Sequence, residues 1–163
     1  MPGTEEGEKR RRRAHSVELE QKTATNVKQA VPFFMVWSME KSLRNYVDGS
    51  GFAMTKQWFD EGKLRWCWLE VGGAALMLQE VREEGHDTWR PSCKVGEGVC
   101  VCFQCEDALA IYREAKVRGV KARRNPFVGN SMWVVPFTDQ DGYRFDFESC
   151  TDVPEETEYS PQD

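Results

Sequence analysis

The residues of this sequence able to do chemistry are a carboxylate, a run of thiols and a set of indoles, all in stretches that read as strand. Asp146 stands in Tyr143-Arg144-Phe145-Asp146-Phe147-Glu148, where aromatic residues alternate with ionisable ones, so it shares a face with Arg144 and Glu148. Two readings stay open for it. It is a surface carboxylate partnered by Arg144, or a lone anion in a cavity that attracts a basic group on a ligand or else takes a raised pKa. Cys102 and Cys105 have the spacing of a redox or zinc pair, with Cys100 close by. On a strand, however, Cys100 and Cys102 face one way and Cys105 the other, so the three cannot hold one ion without a bulge. Packing as small hydrophobes is the expectation for these thiols and for Cys67. Trp66 and Trp68 share one strand face in a chain with six tryptophans. Core packing explains most aromatics, whereas Trp66, Trp68 or Trp133 as pocket walls would suit a flat apolar or cationic ligand. There is no Ser-His-Asp or Cys-His pairing and no glycine-rich phosphate loop at a strand-to-helix junction.

Those side chains need elements to position them. Residues 133–147 read as two strands joined by a tight turn, because Asp141-Gly142 supplies the positive φ angles of a hairpin and its flanks are aromatic and β-branched. Ahead of it, residues 99–105 read as a strand and 106–118 as a helix with Leu109, Ile111, Tyr112 and Ala115 toward the core. Residues 120–127 and 131–137 read as further strands. The first half repeats this order: a strand over 31–37, a short amphipathic helix capped by Ser38, then strands over 52–59, 64–71 and 74–81. One β-α-β-β-β motif is thus used twice, with roughly 68 residues between the matching glycines Gly51 and Gly119.

The fold class expected is α+β, with modules at about 30–81 and 98–149 inside a domain of residues 29–150, joined by a polar connector over 82–98. A single helix covers only one face of each four-stranded unit. Two units side by side can curl their open faces together into a cupped, barrel-like mixed sheet, leaving a concave cavity for a small ligand.

At 163 residues the chain is long enough for one real core. Its net charge of −5 gives no general attraction to nucleic acid, and no apolar run is long enough to cross a bilayer. Residues 1–28 are expected to be a flexible charged arm, in which the basic run Lys9 to Arg13 is diluted by nearby glutamates. Residues 151–163 are expected to be a loose acidic tail. The cysteines do not form a disulfide framework and the acidic start is unlike a presequence, so a reducing, cytoplasmic location is expected.

Three stretches carry a family resemblance: Ser42-Leu43-Arg44-Asn45-Tyr46 leading to Gly51-Phe52, Phe103-Gln104-Cys105-Glu106-Asp107-Ala108 leading to Gly119-Val120, and Phe137-Thr138-Asp139-Gln140-Asp141-Gly142-Tyr143. Over residues 30–149 the chain resembles the vicinal oxygen chelate superfamily of glyoxalase I, extradiol dioxygenases and bleomycin-resistance proteins. Its metal enzymes place ligands on the first and last strand of each module. Carried over by position, these fall at Val31, about Leu78, Cys100 and Asp146, and neither Val31 nor Leu78 can bind a metal. By the same analogy, Phe33 and Met35 share the cavity side with Val31. Both histidines, His15 and His86, lie off the strands.

The resemblance therefore points to the bleomycin-resistance-like branch. It implies a homodimer that sequesters a partly aromatic or cationic small molecule, with no metal or other cofactor and no nucleic-acid or membrane partner. The cavity residues expected are Phe33, Met35, Trp66, Trp68, Leu78, Cys100, Cys102, Trp133 and Asp146. A metal-dependent lyase or dioxygenase of the same superfamily is the alternative, and a structural module with a collapsed cavity is a third.

Overall fold

The structure is a computed structural model that describes residues 27–82, 91 and 94–160. The chain divides into units of residues 1–30 and 31–163. In the first, only 27–30 are described, as exposed chain without regular structure. The arm's basic run and both histidines lie outside the described residues.

The second unit contains the repeated motif. Strand β1 (Phe33–Val36) leads into α1 (Met39–Leu43), which continues as a π-helical turn over Arg44–Gly49. Strands β2 (Ala53–Asp60), β3 (Lys63–Val71) and β4 (Ala74–Glu80) complete the first module. The second comprises β5 (Cys100–Gln104), α2 (Ala108–Val117), β6 (Phe127–Gly129), β7 (Met132–Thr138) and β8 (Arg144–Cys150). Each module forms its own four-stranded mixed sheet, ordered β1-β4-β3-β2 and β5-β8-β7-β6, with the first and last strands parallel. The sheets are cupped and do not close into a barrel.

Local chemistry explains why each helix starts where it does. Ser38 Oγ accepts from the Lys41 N–H and Asp107 Oδ1 from the Ala110 N–H, so both helices have an oxygen cap three residues ahead of the bonded amide. In each module a side chain from the end of the last strand then takes the next free amide. Glu80 Oε2 accepts from the Met39 N–H at 2.9 Å and Ser149 Oγ from the Ala108 N–H at 3.0 Å, with partners 41 residues apart in both cases.

One apolar core spans both modules. Alternation sends Cys67, Leu69, Leu76 and Leu78 of the first sheet and Phe103, Val135, Phe137, Phe145 and Phe147 of the second to the buried side. Rings join the halves: Phe34 stacks on Tyr143 at 4.0 Å, and Tyr46 lies 5.3 Å from Phe145. Gly49 ends the first helix so close to Val120 that a Cβ there would overlap it.

Three expectations need correction. Residues 120–126 are not a strand, because Arg123 turns its N–H to the Pro136 carbonyl and β6 begins only at Phe127. The β7–β8 connection is not a two-residue turn. It is a five-residue loop wound on Asp139, whose Oδ1 accepts from the Asp141, Gly142 and Tyr143 amides, each at 2.9 Å. Residues 151–160 are not loose. Val128 and Tyr159 amides bond to Thr157 and Pro126 carbonyls, Glu158 bridges to Phe127, and the Tyr159 ring meets Tyr112 and Trp133 edge-on. Two aromatic contacts, one isolated bridge and a few backbone hydrogen bonds to β6 and the residue before it hold down a segment whose acidic composition alone read as tail.

Candidate functional site

The face turned away from the core carries two half-buried tryptophans on the first sheet and a row of ionisable side chains and thiols on the second. On the first sheet the register sets Trp66 beside Gln79 and Trp58, and Trp68 beside Met77 and Lys56. Both expected tryptophans therefore lie on this open face, half-buried, while their neighbours Cys67 and Leu69 point into the core. The Trp68 ring is fixed from two sides. Its Nε1 donates to Glu70 Oε1 at 2.7 Å, and the Lys56 ammonium sits 4.7 Å from its centroid. Phe33 and Met35 share this face, opposite Met77 and Gln79, with Phe33 partly exposed and Met35 fully buried.

Two expected cavity residues lie elsewhere. Leu78 alternates with Met77 and Gln79 and is fully buried in the core, which its positional carry-over ignored. Trp133 shares a face with Val135 and Phe137, packs against the core and meets Tyr159 at 6.3 Å, so it is not on the open face. Both faces of β7 are apolar, and alternation alone gave no sign of which was hidden.

On the second sheet the open face brings together Cys100, Cys102 and Asp146. Parallel pairing sets Cys102 directly beside Asp146, and one donor atom from each of the three lies within 4.8 Å of the others. Contrary to the core-packing expectation, Cys100 and Cys102 are exposed, although Cys67 is fully buried as expected. Cys105 points away, its thiol donating to the Glu148 carbonyl at 3.3 Å. Partial desolvation by neighbouring strands, reinforced by the Asp146 charge, nonetheless pushes the Cys100 thiol up to about 12, and partial desolvation with the Glu148 charge raises Cys102 as well. Asp146 is itself raised by burial, against the opposing pull of the Cys100 thiol and Arg123. Its side chain is only 14% exposed, and its ion-pair partner is Arg123 at 4.0 Å, not Arg144. Oδ1 of Asp146 finds no hydrogen-bond partner among the described residues.

The metal enzymes of the resemblance need four donors, and the residues here do not fit that group. Val31 precedes β1 with a hydrocarbon side chain, and Leu78 points into the core. Only Cys100 and Asp146 remain, and a thiol is a poor partner for the hard divalent ions of oxygenase or lyase chemistry.

Sequence reasoning missed the polar joint between the modules. Asp139 is buried and accepts from the Tyr46 hydroxyl at 2.9 Å, while the Tyr143 hydroxyl donates to the Met35 carbonyl at 3.1 Å. Burial raises Asp139 despite its hydrogen bonds, and raises Tyr46 further beside it. A signal was available: an aspartate followed by x-Asp-Gly at a strand end is well placed to gather loop amides. A cleft of about 350 Å³ beside the end of α2, lined by Tyr112, Lys116, Val120 and Arg124, contains none of the expected cavity residues. No helix among the described residues is long and apolar enough to cross a membrane.

Comparison with known proteins agrees with this architecture. A hypothetical protein, SA1046 from S. aureus, superposes with a TM-score of 0.60 at 18% identity, covering 77% of this chain and 96% of its own. UcmS2 gives 0.61 at 15% identity, covering 76% and 98%. TnmS3, an antibiotic binding protein from Streptomyces sp. CB03234, gives 0.57 at 21% identity, covering 78% and 100%. No curated protein sequence matches. The family model for the Glyoxalase/Bleomycin resistance protein/Dioxygenase superfamily matches residues 28–147, and the chain belongs to that superfamily.

Proposed function

We propose that this protein binds a small, partly aromatic or cationic molecule on the tryptophan-bearing open face of its first sheet, without catalysis and without a metal in the binding step. The observation that carries the reading is the fixed Trp68 indole, next to Trp66, with a carboxylate on its N–H and an ammonium over its ring. A ring held in place before the ligand arrives loses little freedom on binding, and its π-face attracts positive charge. Lys56 already occupies the position that a ligand cation would take, and Glu70 supplies a counter-charge beside it. The similarity to TnmS3, described as an antibiotic binding protein, supports the same class of ligand.

We also propose that two copies pair. Edge strand β2 is exposed almost throughout and presents Met54, Trp58 and Phe59 to solvent, a combination that single chains usually cover. Free thiols at the described cysteines suit a reducing, cytoplasmic setting.

Titration with bleomycin and with the planar cationic dye proflavine, followed by tryptophan fluorescence, tests the binding reading. Saturable quenching that weakens about tenfold in Trp68→Ala is the expected result, since stacking on one aromatic contributes roughly 1–2 kcal/mol. Quenching by both probes that never saturates, or that is unchanged in Trp66→Ala and Trp68→Ala, would sink it. Sedimentation velocity of the wild type against Trp58→Lys tests pairing, with a shift from dimer to monomer expected.

A further inference from the structure

We propose that Cys100, Cys102 and Asp146 form a binding site for a thiophilic metal ion, with zinc as its natural occupant, on the open face of the second sheet. The site is independent of the first-sheet ligand face. It also differs from the four-donor centre of the superfamily's metal enzymes, because every donor comes from one module and Cys102 is not at one of those positions.

The geometry starts from the strand pairing. Residues two apart on β5 point the same way, and parallel pairing with β8 places Asp146 beside the second of them, so the chain has little freedom to separate the three. Their donor atoms already lie within 4.8 Å of one another. A tetrahedral zinc ion with bonds of about 2.3 Å to sulfur and 2.0 Å to oxygen needs ligand separations of about 3.5–3.8 Å, a rotamer adjustment and not a backbone movement. The fourth position is left for water.

Two further observations favour a cation here. Both thiols are exposed on a polar face, so neither is retained for packing. Asp146 keeps one buried oxygen without a hydrogen-bond partner among the described residues, and its guanidinium partner stays at 4.0 Å. A buried carboxylate oxygen whose only counter-charge is a guanidinium at 4.0 Å keeps a desolvation cost that a cation bound directly to it would offset. On binding, each thiol releases its proton to solvent and the thiolate bonds to the metal. Two sulfurs and a carboxylate select zinc, cadmium or monovalent copper over magnesium or manganese.

The test uses the full chain, reduced and metal-free. Cadmium serves as the optical probe, because thiolate-to-cadmium charge transfer absorbs in the ultraviolet. The expected result is one cadmium per chain, displaced by zinc and unaffected by excess magnesium or manganese. Cys100→Ser and Cys102→Ser should each weaken binding at least about a hundredfold and Asp146→Asn about tenfold, while Cys105→Ser and Cys150→Ser leave it unchanged. Binding that survives loss of both Cys100 and Cys102, or that shows no charge-transfer absorption, overturns the site. Alkylation of the wild type by iodoacetamide, read by peptide mass, keeps the test valid if a variant misfolds. Zinc should protect Cys100 and Cys102 and leave Cys150 reactive; equal labelling with and without zinc overturns the proposal. Proflavine binding should be the same with and without zinc, so failure of one site leaves the other standing.

Discussion

At the start of the first module's helix the free amide is taken by Glu80, a carboxylate that also pairs with Lys63 and with Arg65 at 3.1 Å. At the matching place in the second module it is taken by Ser149, a hydroxyl. The two modules thus solve the same backbone problem with different chemistry. On their open faces they diverge further, one carrying indoles and the other thiols with a carboxylate. Repetition fixes what the backbone demands, the caps and the hidden apolar face. It leaves the open face free, and the open face is where two copies of one motif can acquire separate functions.

The largest effect should come from breaking the caps unequally. Glu80→Ala leaves the mostly buried Arg65 without its partner and should cost about 3–4 kcal/mol, whereas Ser149→Ala removes one neutral hydrogen bond and should cost about 1 kcal/mol. Urea denaturation of the two variants measures both, and equal costs would mean the caps are interchangeable. The carboxylate also makes the first module acid-sensitive. Burial works to raise the Glu80 pKa, but the bonds from Lys63 and the Met39 amide and the charges of Lys63 and Arg65 outweigh it, so the folded value lies below the ordinary 4.5. A depressed carboxylate stabilises the fold above its unfolded pKa and loses that contribution as pH falls through the folded one. Wild-type stability should therefore drop below about pH 4.5, and Glu80→Gln should flatten that limb.

Next in size is the contrast between the two faces of a single strand. Leu78→Ala empties a fully buried position and should cost about 3 kcal/mol. Met77→Ala, one residue away on the open face, should cost less than about 1 kcal/mol. Similar losses at both positions would show the first sheet to be covered on both sides.

That pair also marks what was legible in the sequence. Period-two alternation put Trp66 and Trp68 on one shared face, grouped Asp146 with Arg144 and Glu148, and set Cys105 apart from Cys100 and Cys102, without saying which face was open. Trp133 escaped it: Val134, Val135, Pro136 and Phe137 around it are apolar on both sides, since Val134 and Pro136 of the open face are buried as well. Leu78 was misplaced because family position was followed where the Leu76-x-Leu78 alternation with buried Cys67 and Leu69 would have corrected it. The thiols of β5 were misread because cysteine packs well in apolar runs, and only the pairing with Arg144 and Asp146 reveals that their face is polar. The Asp139 joint depends on contacts 93 residues apart, beyond the reach of any local pattern.

A smaller effect should separate function from stability on the first sheet. Lys56→Met removes the ammonium from the Trp68 ring and clears that position for a ligand cation. Proflavine affinity should rise about threefold while stability falls by no more than the about 0.5–1 kcal/mol that a cation–π contact at an exposed site contributes. Weaker dye binding in this variant would mean that Lys56 holds the indole in place instead of competing for it.

An effect of similar size, and the one that most sharpens the contrast, lies at Asp146. Burial raises its folded pKa above the ordinary 3.8, so the ionised side chain destabilises the metal-free protein, the opposite sign to Glu80. For a raised carboxylate, stability falls as pH rises from the unfolded to the folded pKa, and the full penalty stands at neutral pH. With a chelator present, Asp146→Asn should therefore be more stable than wild type by about 0.5–1 kcal/mol at pH 7, and the two should converge near pH 3.5. Saturating zinc should reverse the order at pH 7, because the wild type gains binding energy that the amide forgoes. A variant less stable than wild type in chelator would show Asp146 to be a structural partner of Arg123, and the second module's open face would then differ from the first only in composition.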